Sequence, residues 1–312
     1  MSLRVEILRF ALRRLFKRPA RHNSDIAAVR QHTEGFKRFI PNPPRGTIVT
    51  RVNGLGIPAV RVATPKSRDD HHTLYLHGGG YVFGSCSHYR DFLWRIANAT
   101  CSRVLCIDYR LAPEHPFPAA VDDAVAAYRW LLAQGADPHR ISFMGDSAGG
   151  GLNLATLLRL RDEGTALPAA AVAMSPWTDL TLTGESMRRF AEADPMLSPE
   201  MANAYARWYL ADADPRDPYA SPLFGDLKGL PPTLIQVGSD EILLDDCTRM
   251  ADRLRAAGCR VELEIWPRVP HVWQLFARIL PEARQAVERI GTFVDAETSG
   301  GGTQACVARS SA

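Results

Sequence analysis

The chain of 312 residues is long enough for one large α/β domain or two small ones. Hydrophobic residues make up 46% of it and charged residues 23%, as in ordinary globular enzymes, and no apolar run reaches the roughly 18 residues that a membrane span needs. The net charge of +3 is unevenly placed, because residues 1–40 hold ten Lys or Arg and three acids, so this segment carries +7 and the remainder −4. The main body therefore lacks the basic surface of a nucleic-acid-binding protein.

The N-terminal stretch has the pattern of a basic amphipathic helix. Leu8, Leu12, Leu15 and Phe16 recur at helical spacing between arginines. Such a helix either packs over its own domain, which we favour, or makes peripheral contact with a membrane surface. Charged residues interrupt the segment where a signal peptide would need its apolar core, and the six cysteines form no C-x-x-C pair. We therefore expect a cytoplasmic protein with reduced thiols.

Strand and helix patterns alternate along most of the chain after residue 46. A hairpin over Thr47–Val52 and Pro58–Ala63 comes first, joined by a glycine-containing turn. The later strand candidates are Thr73–Leu76, Arg103–Asp108, Ile141–Met144, Ala170–Met174, Thr233–Val237 and Val261–Trp266. The helix candidates between and after them are Tyr89–Ala99, Ala119–Gln134, Ala148–Glu163, Asp245–Ala257 and Glu282–Ala296. This order predicts an α/β fold with a mostly parallel sheet of about eight strands and helices on both faces.

One long interval between Trp177 and Pro232 contains no strand candidate, only a helix candidate at Glu200–Leu210. We expect this interval to join the N-terminal helices as a lid over the C-terminal edge of the sheet, where ligands bind in such folds. The chain then divides into N-terminal cap helices at 1–45, a catalytic domain at 46–296 with a cap insertion at about 178–230, and a flexible tail at 297–312.

The segment Gly145-Asp146-Ser147-Ala148-Gly149 fits the G-x-S-x-G pattern and lies between a strand candidate and a helix candidate. In this context the pattern is typical of a sharp turn that lifts a serine hydroxyl above a parallel sheet. The glycines have a steric reason, because a Cβ on either side of so strained a turn would collide with the neighbouring strand or helix. Ser147 is therefore a candidate nucleophile.

A serine nucleophile needs a base and an acid, which follow it in the chain in the order Ser, Asp or Glu, His. Of nine histidines only His271 lies after Ser147, in a loop beyond the last strand candidate. Asp240 comes directly after the preceding strand candidate and is the preferred acid, with Glu241 and Asp245 as alternatives. The acid would hold the tautomer of the histidine and stabilise its protonated form.

The run His77-Gly78-Gly79-Gly80 follows another strand candidate and fits the H-G-G-G pattern. This pattern supplies a backbone N–H for the oxyanion that develops during acyl transfer. The N–H of Ala148, just after the nucleophile and at a helix N-terminus, is the second predicted donor. His77 itself is expected to be a structural hydrogen-bonding residue rather than a proton carrier.

These motifs resemble those of the hormone-sensitive-lipase-like esterases, a family of α/β-hydrolases. The stretches that carry the resemblance lie between Thr47 and Asp295 and are His77-Gly-Gly-Gly, Asp108-Tyr-Arg-Leu-Ala-Pro-Glu-His-Pro-Phe-Pro-Ala, Gly145-Asp-Ser-Ala-Gly-Gly, Ser175-Pro-Trp-Thr-Asp-Leu and Ser239-Asp-Glu-Ile-Leu. The resemblance implies the α/β-hydrolase fold with a helical cap, and hydrolysis of short-acyl carboxylic esters without metal or cofactor. It also implies a triad and a set of oxyanion donors, namely Ser147, Asp240 and His271 with Gly78, Gly79 and Ala148.

Two local details accompany the resemblance. Where many relatives carry Asp-Pro-Leu, this chain has Asp240-Glu241-Ile242. Asp108 and Arg110 are expected to pair and to brace the loop near the oxyanion turn.

Five residues near the motifs are candidates for contact with the substrate: Tyr81, Asp146, Met196, Trp208 and Trp273. Aromatic and Met residues on a cap helix are as often simple packing. The expected partner is a small-molecule ester, with no nucleic acid and no transmembrane segment, and the sequence is compatible with a homo-oligomer. The same triad permits an N-acetyl or amide deacylase or a lactonase. A non-enzymatic ligand receptor on this fold is disfavoured, since such proteins typically lose a triad member.

Overall fold

Eight strands form the centre of the computed structural model, which describes residues 2–17 and 25–299. The strands, β1 to β8 in chain order, are Ile48–Arg51, Ala59–Ala63, His72–Leu76, Arg103–Ile107, Ile141–Asp146, Ala170–Met174, Thr233–Gly238 and Val261–Trp266. The α-helices, α1 to α9, are Leu3–Phe16, Ile26–Phe36, Arg90–Ala99, Ala119–Ala133, Ala148–Asp162, Glu185–Arg189, Pro199–Leu210, Leu244–Ala256 and Pro281–Thr298. Every strand candidate of the sequence is confirmed to within two residues at each end.

The strands lie in the order β1-β2-β4-β3-β5-β6-β7-β8. The pairs β1-β2 and β2-β4 are antiparallel, and every pair from β4 to β8 is parallel. Parallel neighbours need a crossover connection, and the helices between the later strands supply it. The predicted α/β class with a mostly parallel sheet is therefore confirmed.

Both faces of the sheet are buried, because alternate residues of each strand pack against different helices. In β3, Leu74 and Leu76 join a core with α4, α5 and α8, whereas Tyr75 joins a second core with α3 and α9. All residues of β5, β6 and β7 are buried. This two-sided burial explains why the central strands are apolar runs in the sequence.

The carboxyl ends of β5 to β8 lie side by side. Asp146 at the end of β5 pairs in register with Met174 of β6, and Gly238 of β7 pairs with Trp266 of β8. The residues that follow these four strands are therefore neighbours at one rim of the sheet, where ligands bind in open α/β sheets.

The N-terminal helix α1 packs over its own domain, the arrangement that we favour from the sequence, and buries Val5 and Leu12. Between β6 and β7 the chain forms α6 and α7 and no strand, and α6 is not anticipated by the sequence pattern. Among the described helices, none combines the length and the hydropathy of a membrane span. The predicted domain boundaries stay a prediction, and most of the predicted tail lies outside the described residues.

The expected pair of Asp108 with Arg110 does not form. The guanidinium of Arg110 instead lies 2.8 Å from the carboxylate of Asp123 in α4, which also accepts the backbone N–H of Arg110 at 2.8 Å. Asp108 accepts the N–H of Cys86 at 2.6 Å. Both charged groups brace the loop after β4, but they attach it to two different elements.

Candidate active site

Ser147 lies at the turn between β5 and α5. Its backbone has φ 54° and ψ −124°, a conformation that a residue with a side chain adopts only under strain. Four hydrogen bonds hold this residue in place. The N–H of Ser147 donates to Met174 at 2.8 Å, and its carbonyl accepts from Gly150, Gly151 and Trp177 at 3.0, 3.1 and 3.0 Å. The surrounding backbone therefore maintains the strained turn that the G-x-S-x-G pattern predicts.

Ser147 is the one residue from 141 to 158 that is not buried. The neighbouring glycines explain how the turn closes so tightly. A Cβ on Gly145 would lie 2.1 Å from the carbonyl oxygen of Gly149, and a Cβ on Gly149 would lie 2.1 Å from the carbonyl oxygen of Leu76. The turn thus presents a single side chain at the surface from a strand and a helix that are otherwise inside the protein.

His271 lies in the loop after β8 and is 4% exposed. Its Nδ1 is 2.6 Å from Oε2 of Glu241, a residue that is 1% exposed. The other oxygen of Glu241, Oε1, accepts the N–H of Gly238 at 2.6 Å and the hydroxyl of Ser175 at 2.8 Å. These bonds hold the carboxylate against Nδ1 of the ring and leave Nε2 to exchange a proton.

The preference for Asp240 as the acid beside His271 is wrong, because Glu241 occupies that position. Oδ2 of Asp240 lies 3.1 Å from the guanidinium of Arg9, and its Oδ1 accepts the hydroxyl of Ser239 at 2.7 Å. The carboxylate of Asp240 is thus directed towards α1 and not towards the histidine.

A turn after β7 explains the difference between the two neighbouring acids. The N–H of Glu241 lies 3.4 Å from the carbonyl of Gly238, so the chain reverses here and brings the side chain of Glu241 back to the N–H of Gly238. Asp245, the second alternative, accepts the N–H of Ser186 at 2.8 Å and so attaches α8 to α6. Position at a strand end cannot distinguish adjacent acids when a turn follows the strand.

The surroundings of His271 favour its protonated form. Burial by itself lowers the pKa of His271, but the charge and the hydrogen bond of Glu241 outweigh burial and raise that pKa above its ordinary value. The charges of Asp194 and Asp146 act in the same direction. Three carboxylates thus favour the imidazolium, and one of them, Asp146, directly precedes Ser147 in the chain.

A third buried carboxylate, Asp194, lies between α6 and α7, within the predicted cap insertion. It accepts the N–H groups of Met196 and Leu197, each at 2.9 Å, and the N–H of Ile242 at 3.1 Å. Burial, and then the charge of Glu241, raise the pKa of Asp194. The Asp-Pro pair at this position marks a break in the sequence, but nothing in the pattern indicates contact with the turn that carries the triad acid.

The backbone N–H groups of Gly79, Gly80 and Ala148 donate to no acceptor in the part of the chain that the structure describes. Ala148 begins α5, where the helix dipole favours negative charge. Gly79 has φ 120° and Gly80 has φ 60°, and a Cβ on them would lie 2.1 Å from the carbonyl oxygen of Phe83 and 2.3 Å from the ring of Tyr205. The loop therefore requires glycine at both positions.

Gly78 is not a free donor, contrary to the expectation from the resemblance. Its N–H donates to the hydroxyl of Tyr89 at 2.9 Å and to Oδ1 of Asp146 at 3.1 Å. Asp146 also accepts the hydroxyls of Tyr75 at 2.6 Å and Tyr89 at 2.7 Å. Asp146 thus attaches the glycine run to β5, and these bonds engage the N–H of Gly78 but not the N–H of Gly80.

His77 has the structural position expected of it. Its ring stacks on Tyr109 with centroids 4.3 Å apart, and its Nδ1 lies 2.8 Å from the carbonyl oxygen of Gly78. Burial lowers the pKa of His77 to about 4, so this imidazole is neutral near neutral pH.

Three of the five candidates for substrate contact are buried, and their contact with substrate stays a prediction. Tyr81 is 1% exposed and stacks on Tyr209 with ring centroids 3.7 Å apart. Trp273 is fully buried beside Trp266, and Asp146 is 1% exposed with both oxygens hydrogen-bonded. Large aromatic residues near a motif are difficult to separate from core residues by type alone.

The other two candidates are half-buried: Met196 lies before α7 and Trp208 within it, both inside the predicted cap insertion. Trp208 stacks beside Tyr205, which contacts the glycine run at Gly80. Their contact with substrate stays a prediction.

Comparisons with known proteins were consistent with this geometry. A family model described as alpha/beta hydrolase fold matches residues 73–275. An acetyl-hydrolase from Streptomyces hygroscopicus is 46% identical over 258 residues, which cover 83% of this chain and 85% of that protein. An esterase from Acinetobacter venetianus is 37% identical over 285 residues, 90% of this chain and 93% of that protein. The crystal structure of an esterase from the bacterial hormone-sensitive lipase family superposes with a TM-score of 0.90 at 46% identity and covers 96% of this chain and 99% of that one.

Proposed function

The chain belongs to the α/β-hydrolase fold family and, within it, to the hormone-sensitive-lipase-like esterases, and from this premise we propose that it hydrolyses carboxylic esters with Ser147 as the nucleophile. One observation carries the proposal. In an elbow that is otherwise buried, Ser147 alone is accessible, at the rim that also holds the buried pair of His271 and Glu241. A serine in an ordinary surface turn needs neither the strained backbone nor the paired imidazole.

In the acylation step, Oγ of Ser147 attacks the ester carbonyl while Nε2 of His271 takes the serine proton. The Nδ1–H of His271 stays bonded to Glu241, which fixes the tautomer and stabilises the imidazolium. The free N–H groups receive the oxyanion, and each such donor contributes about 3 kcal/mol to the transition state in related enzymes. These donors are Gly79, Gly80 and Ala148.

The alcohol leaves after His271 returns the proton to it, and the acyl group stays on Ser147 as an ester. Water then enters, His271 removes a proton from it, and the attack on the acyl carbonyl passes through the same oxyanion site. Collapse of this second intermediate releases the carboxylic acid and returns the proton to the serine.

Substitution of the nucleophile tests the mechanism. Ser147→Ala should keep the fold and lower turnover of p-nitrophenyl acetate by at least ~1000-fold, because the covalent step is lost. A fluorophosphonate probe should label the wild-type chain at Ser147 and leave Ser147→Ala unlabelled. Near-normal turnover in the variant, or labelling at another residue, would contradict the assignment.

The substrate is proposed to be a short-acyl ester beneath a cap formed by residues 1–45 and the insertion at about 178–230. Tyr205 of α7 lies against Gly80, and Trp208 stacks beside it with centroids 5.9 Å apart. Bulky rings on the cap therefore lie next to a proposed oxyanion donor. The relative from Streptomyces hygroscopicus is an acetyl-hydrolase, which supports a small acyl group.

A peripheral contact of α1 with an anionic membrane surface is also part of the proposal. Leu3, Ile7 and Phe10 recur on one helical face and are 76%, 61% and 59% exposed. Arg4 and Arg14 are exposed on the same side, within a segment of 40 residues that carries +7. Apolar side chains flanked by arginines suit the boundary between lipid headgroups and acyl chains.

Vesicle flotation tests the membrane contact. We expect the full chain to float with vesicles rich in phosphatidylglycerol more than with phosphatidylcholine vesicles, and Ile7→Ser with Phe10→Ser to abolish the difference. The matched control is Ile48→Ser with Val49→Ser, since these residues of β1 are 62% and 50% exposed but lie outside α1. Equal flotation of both double variants would contradict the contact through α1.

The proposed location is the cytoplasm. The expectation that the thiols are reduced does not hold for Cys101, which is disulfide-bonded, whereas Cys86, Cys106, Cys247 and Cys259 are free thiols. The proposal is supported by the anionic membrane leaflet that α1 would contact, because that leaflet faces the cytoplasm. Fractionation of the native cell tests the location, and recovery in a secreted fraction would contradict it.

A further inference from the structure

One buried guanidinium in α1 contacts three loops around the triad. Arg9 is 8% exposed, and its Nη1 donates to the carbonyl of Arg268 at 2.9 Å. Its Nη2 donates to the carbonyl of Ala193 at 3.0 Å and to Oδ2 of Asp240 at 3.1 Å. These acceptors belong to the loop that leads to His271, to the cap segment between α6 and α7, and to the turn after β7.

The loops after β7 and β8 are also bonded to each other beside this guanidinium. The hydroxyl of Ser239 donates to Oδ1 of Asp240 at 2.7 Å and accepts the N–H of Arg268 at 2.9 Å. The carbonyl of Arg268 in turn accepts from Arg9. Arg9 therefore closes a ring of hydrogen bonds in which both oxygens of the Asp240 carboxylate are engaged.

The residues on both sides of Glu241 are hydrogen-bonded to groups outside the turn after β7. Arg9 holds the residue before Glu241, and the residue after it, Ile242, donates its N–H to Asp194 at 3.1 Å. Asp194 directly follows Ala193, the cap residue that Arg9 also contacts. One short stretch of cap thus holds the turn on both sides of the carboxylate that contacts the catalytic imidazole.

We propose that Arg9 is a positioning residue for the triad, because it joins α1 and the cap to the turn after β7 and so keeps Glu241 directed at His271. The inference rests on the proposed ester hydrolysis. Arg9 acts through Glu241 and touches no reacting atom. Its planar fork of donors reaches three acceptors at once, which the single ammonium of a lysine does not match.

Three variants of α1 test this role. Arg9→Met keeps a long apolar stem but removes all three hydrogen bonds, and we expect kcat for p-nitrophenyl acetate to fall about 10-fold or more while KM changes by less than about threefold. Arg9→Lys should recover part of the loss. Arg13→Met is the matched control, because the exposed Arg13 side chain bonds to the carbonyls of Glu192 and Ala193 and, among the described residues, has no bond to the turn after β7. Its kcat should stay within about twofold of wild type.

The pH profile separates positioning from a simple effect of charge. Glu241, Asp194 and Asp146 are the charged groups that raise the pKa of His271. Loss of the Arg9 cation alone would favour the imidazolium further and move the acid limb of kcat/KM to higher pH. A displaced Glu241 has the opposite effect, because its hydrogen bond and part of its charge are lost, and the acid limb moves to lower pH.

A lower kcat together with an acid limb at lower pH supports the role of Arg9. A kcat within twofold of wild type in folded Arg9→Met, or an acid limb that stays in place or moves to higher pH, overturns it. If Arg9→Met does not fold, Arg9→Lys decides, since it keeps the charge; a wild-type kcat there also overturns the inference. Fluorophosphonate labelling distinguishes a failure of the proposed hydrolysis from a failure of the role of Arg9. If Ser147 of the wild type is not labelled, the proposed hydrolysis is contradicted. If wild type and Arg9→Met are labelled at equal rates, only the role of Arg9 is contradicted.

Discussion

Exchange of the acid beside His271 for its amide should remove most of the activity. Glu241→Gln keeps the shape of the side chain and an oxygen for the N–H of Gly238 and the hydroxyl of Ser175. Its NH2 group then faces Nδ1 of His271 across a contact of 2.6 Å, where a donor cannot accept the Nδ1–H. The imidazole must take the other tautomer, with its proton on Nε2, and in that form it cannot receive the proton of Ser147.

The expected loss in kcat/KM is at least ~1000-fold, or about 4 kcal/mol at 1.36 kcal/mol per tenfold. The same tautomer error in a serine protease costs ~10,000-fold in kcat. Asp240→Asn is the matched control on the adjacent residue. An asparagine there still offers an oxygen to Arg9 and an amide to the hydroxyl of Ser239, so we expect a loss of about tenfold or less.

For both variants, the rate of p-nitrophenyl acetate hydrolysis is measured against substrate concentration, at a temperature below the unfolding midpoint of each variant. Because Glu241 is 1% exposed, an amide at this position could destabilise the fold. Thermal unfolding of Glu241→Gln checks that the loss of activity does not come from such destabilisation. A loss in Asp240→Asn that equals or exceeds the loss in Glu241→Gln would refute the assignment of the acid.

Three further predictions concern pH, acyl length and the glycines of the elbow. His271 acts as a base only when neutral, and its pKa is raised, so kcat/KM should decrease as the pH drops through an apparent pKa that is higher than 6.5. An acid limb centred at or below pH 6.5 would contradict this. Glu241→Gln should move the acid limb to lower pH. Across p-nitrophenyl esters from about C2 to about C12, rates should be highest at the short end, and a maximum at about C10 or beyond would exclude a short-acyl enzyme. Gly149→Ala should lower the free energy of unfolding in urea by about 3 kcal/mol or prevent folding, because its Cβ would lie 2.1 Å from a backbone oxygen. Gly35→Ala in α2 meets nothing within 4 Å and should be neutral or stabilising, so equal effects would contradict the steric argument.

The sheet could be predicted from the sequence because its strands are buried on both faces. A strand that is buried on both faces is a continuous apolar run in the sequence, whereas apolar residues in the helices between the strands recur every three to four residues. β5 to β7 are consequently visible as short apolar runs bounded by turns. α6, with five residues, is too short to show a helical period, and the pattern does not indicate it.

The candidate nucleophile and base could be selected from the sequence for a different reason, namely chain order. Only one histidine follows Ser147, so His271 needed no geometric argument. The choice of the acid did need a geometric argument, because Asp240 and Glu241 are adjacent and both can ionise. The turn closed between Glu241 and Gly238 decides between them, and a turn of this kind leaves no periodic signal in the sequence.

For the proposed oxyanion donors, too, the sequence does not distinguish between adjacent residues. Three successive glycines indicate a close approach of backbone to substrate, but the pattern does not indicate which N–H groups are free. The N–H of Gly78 is taken by Tyr89 and Asp146, which lie 11 and 68 residues further along the chain. The packing of β3 beside β5 brings Asp146 to Gly78, and the turn before α3 brings Tyr89 there.

The two faces of α1 have separable roles, and this separation links the membrane contact to the positioning of the triad. Arg9 points inward and joins Asp240, 231 residues away, whereas Ile7 and Phe10 point outward and contact no core. Outer-face substitutions should therefore change vesicle flotation and leave kcat in solution within about twofold, while Arg9→Met should do the reverse. If Ile7→Ser with Phe10→Ser lowered kcat as much as Arg9→Met, α1 would act as one packed unit, and neither face could be assigned a role of its own.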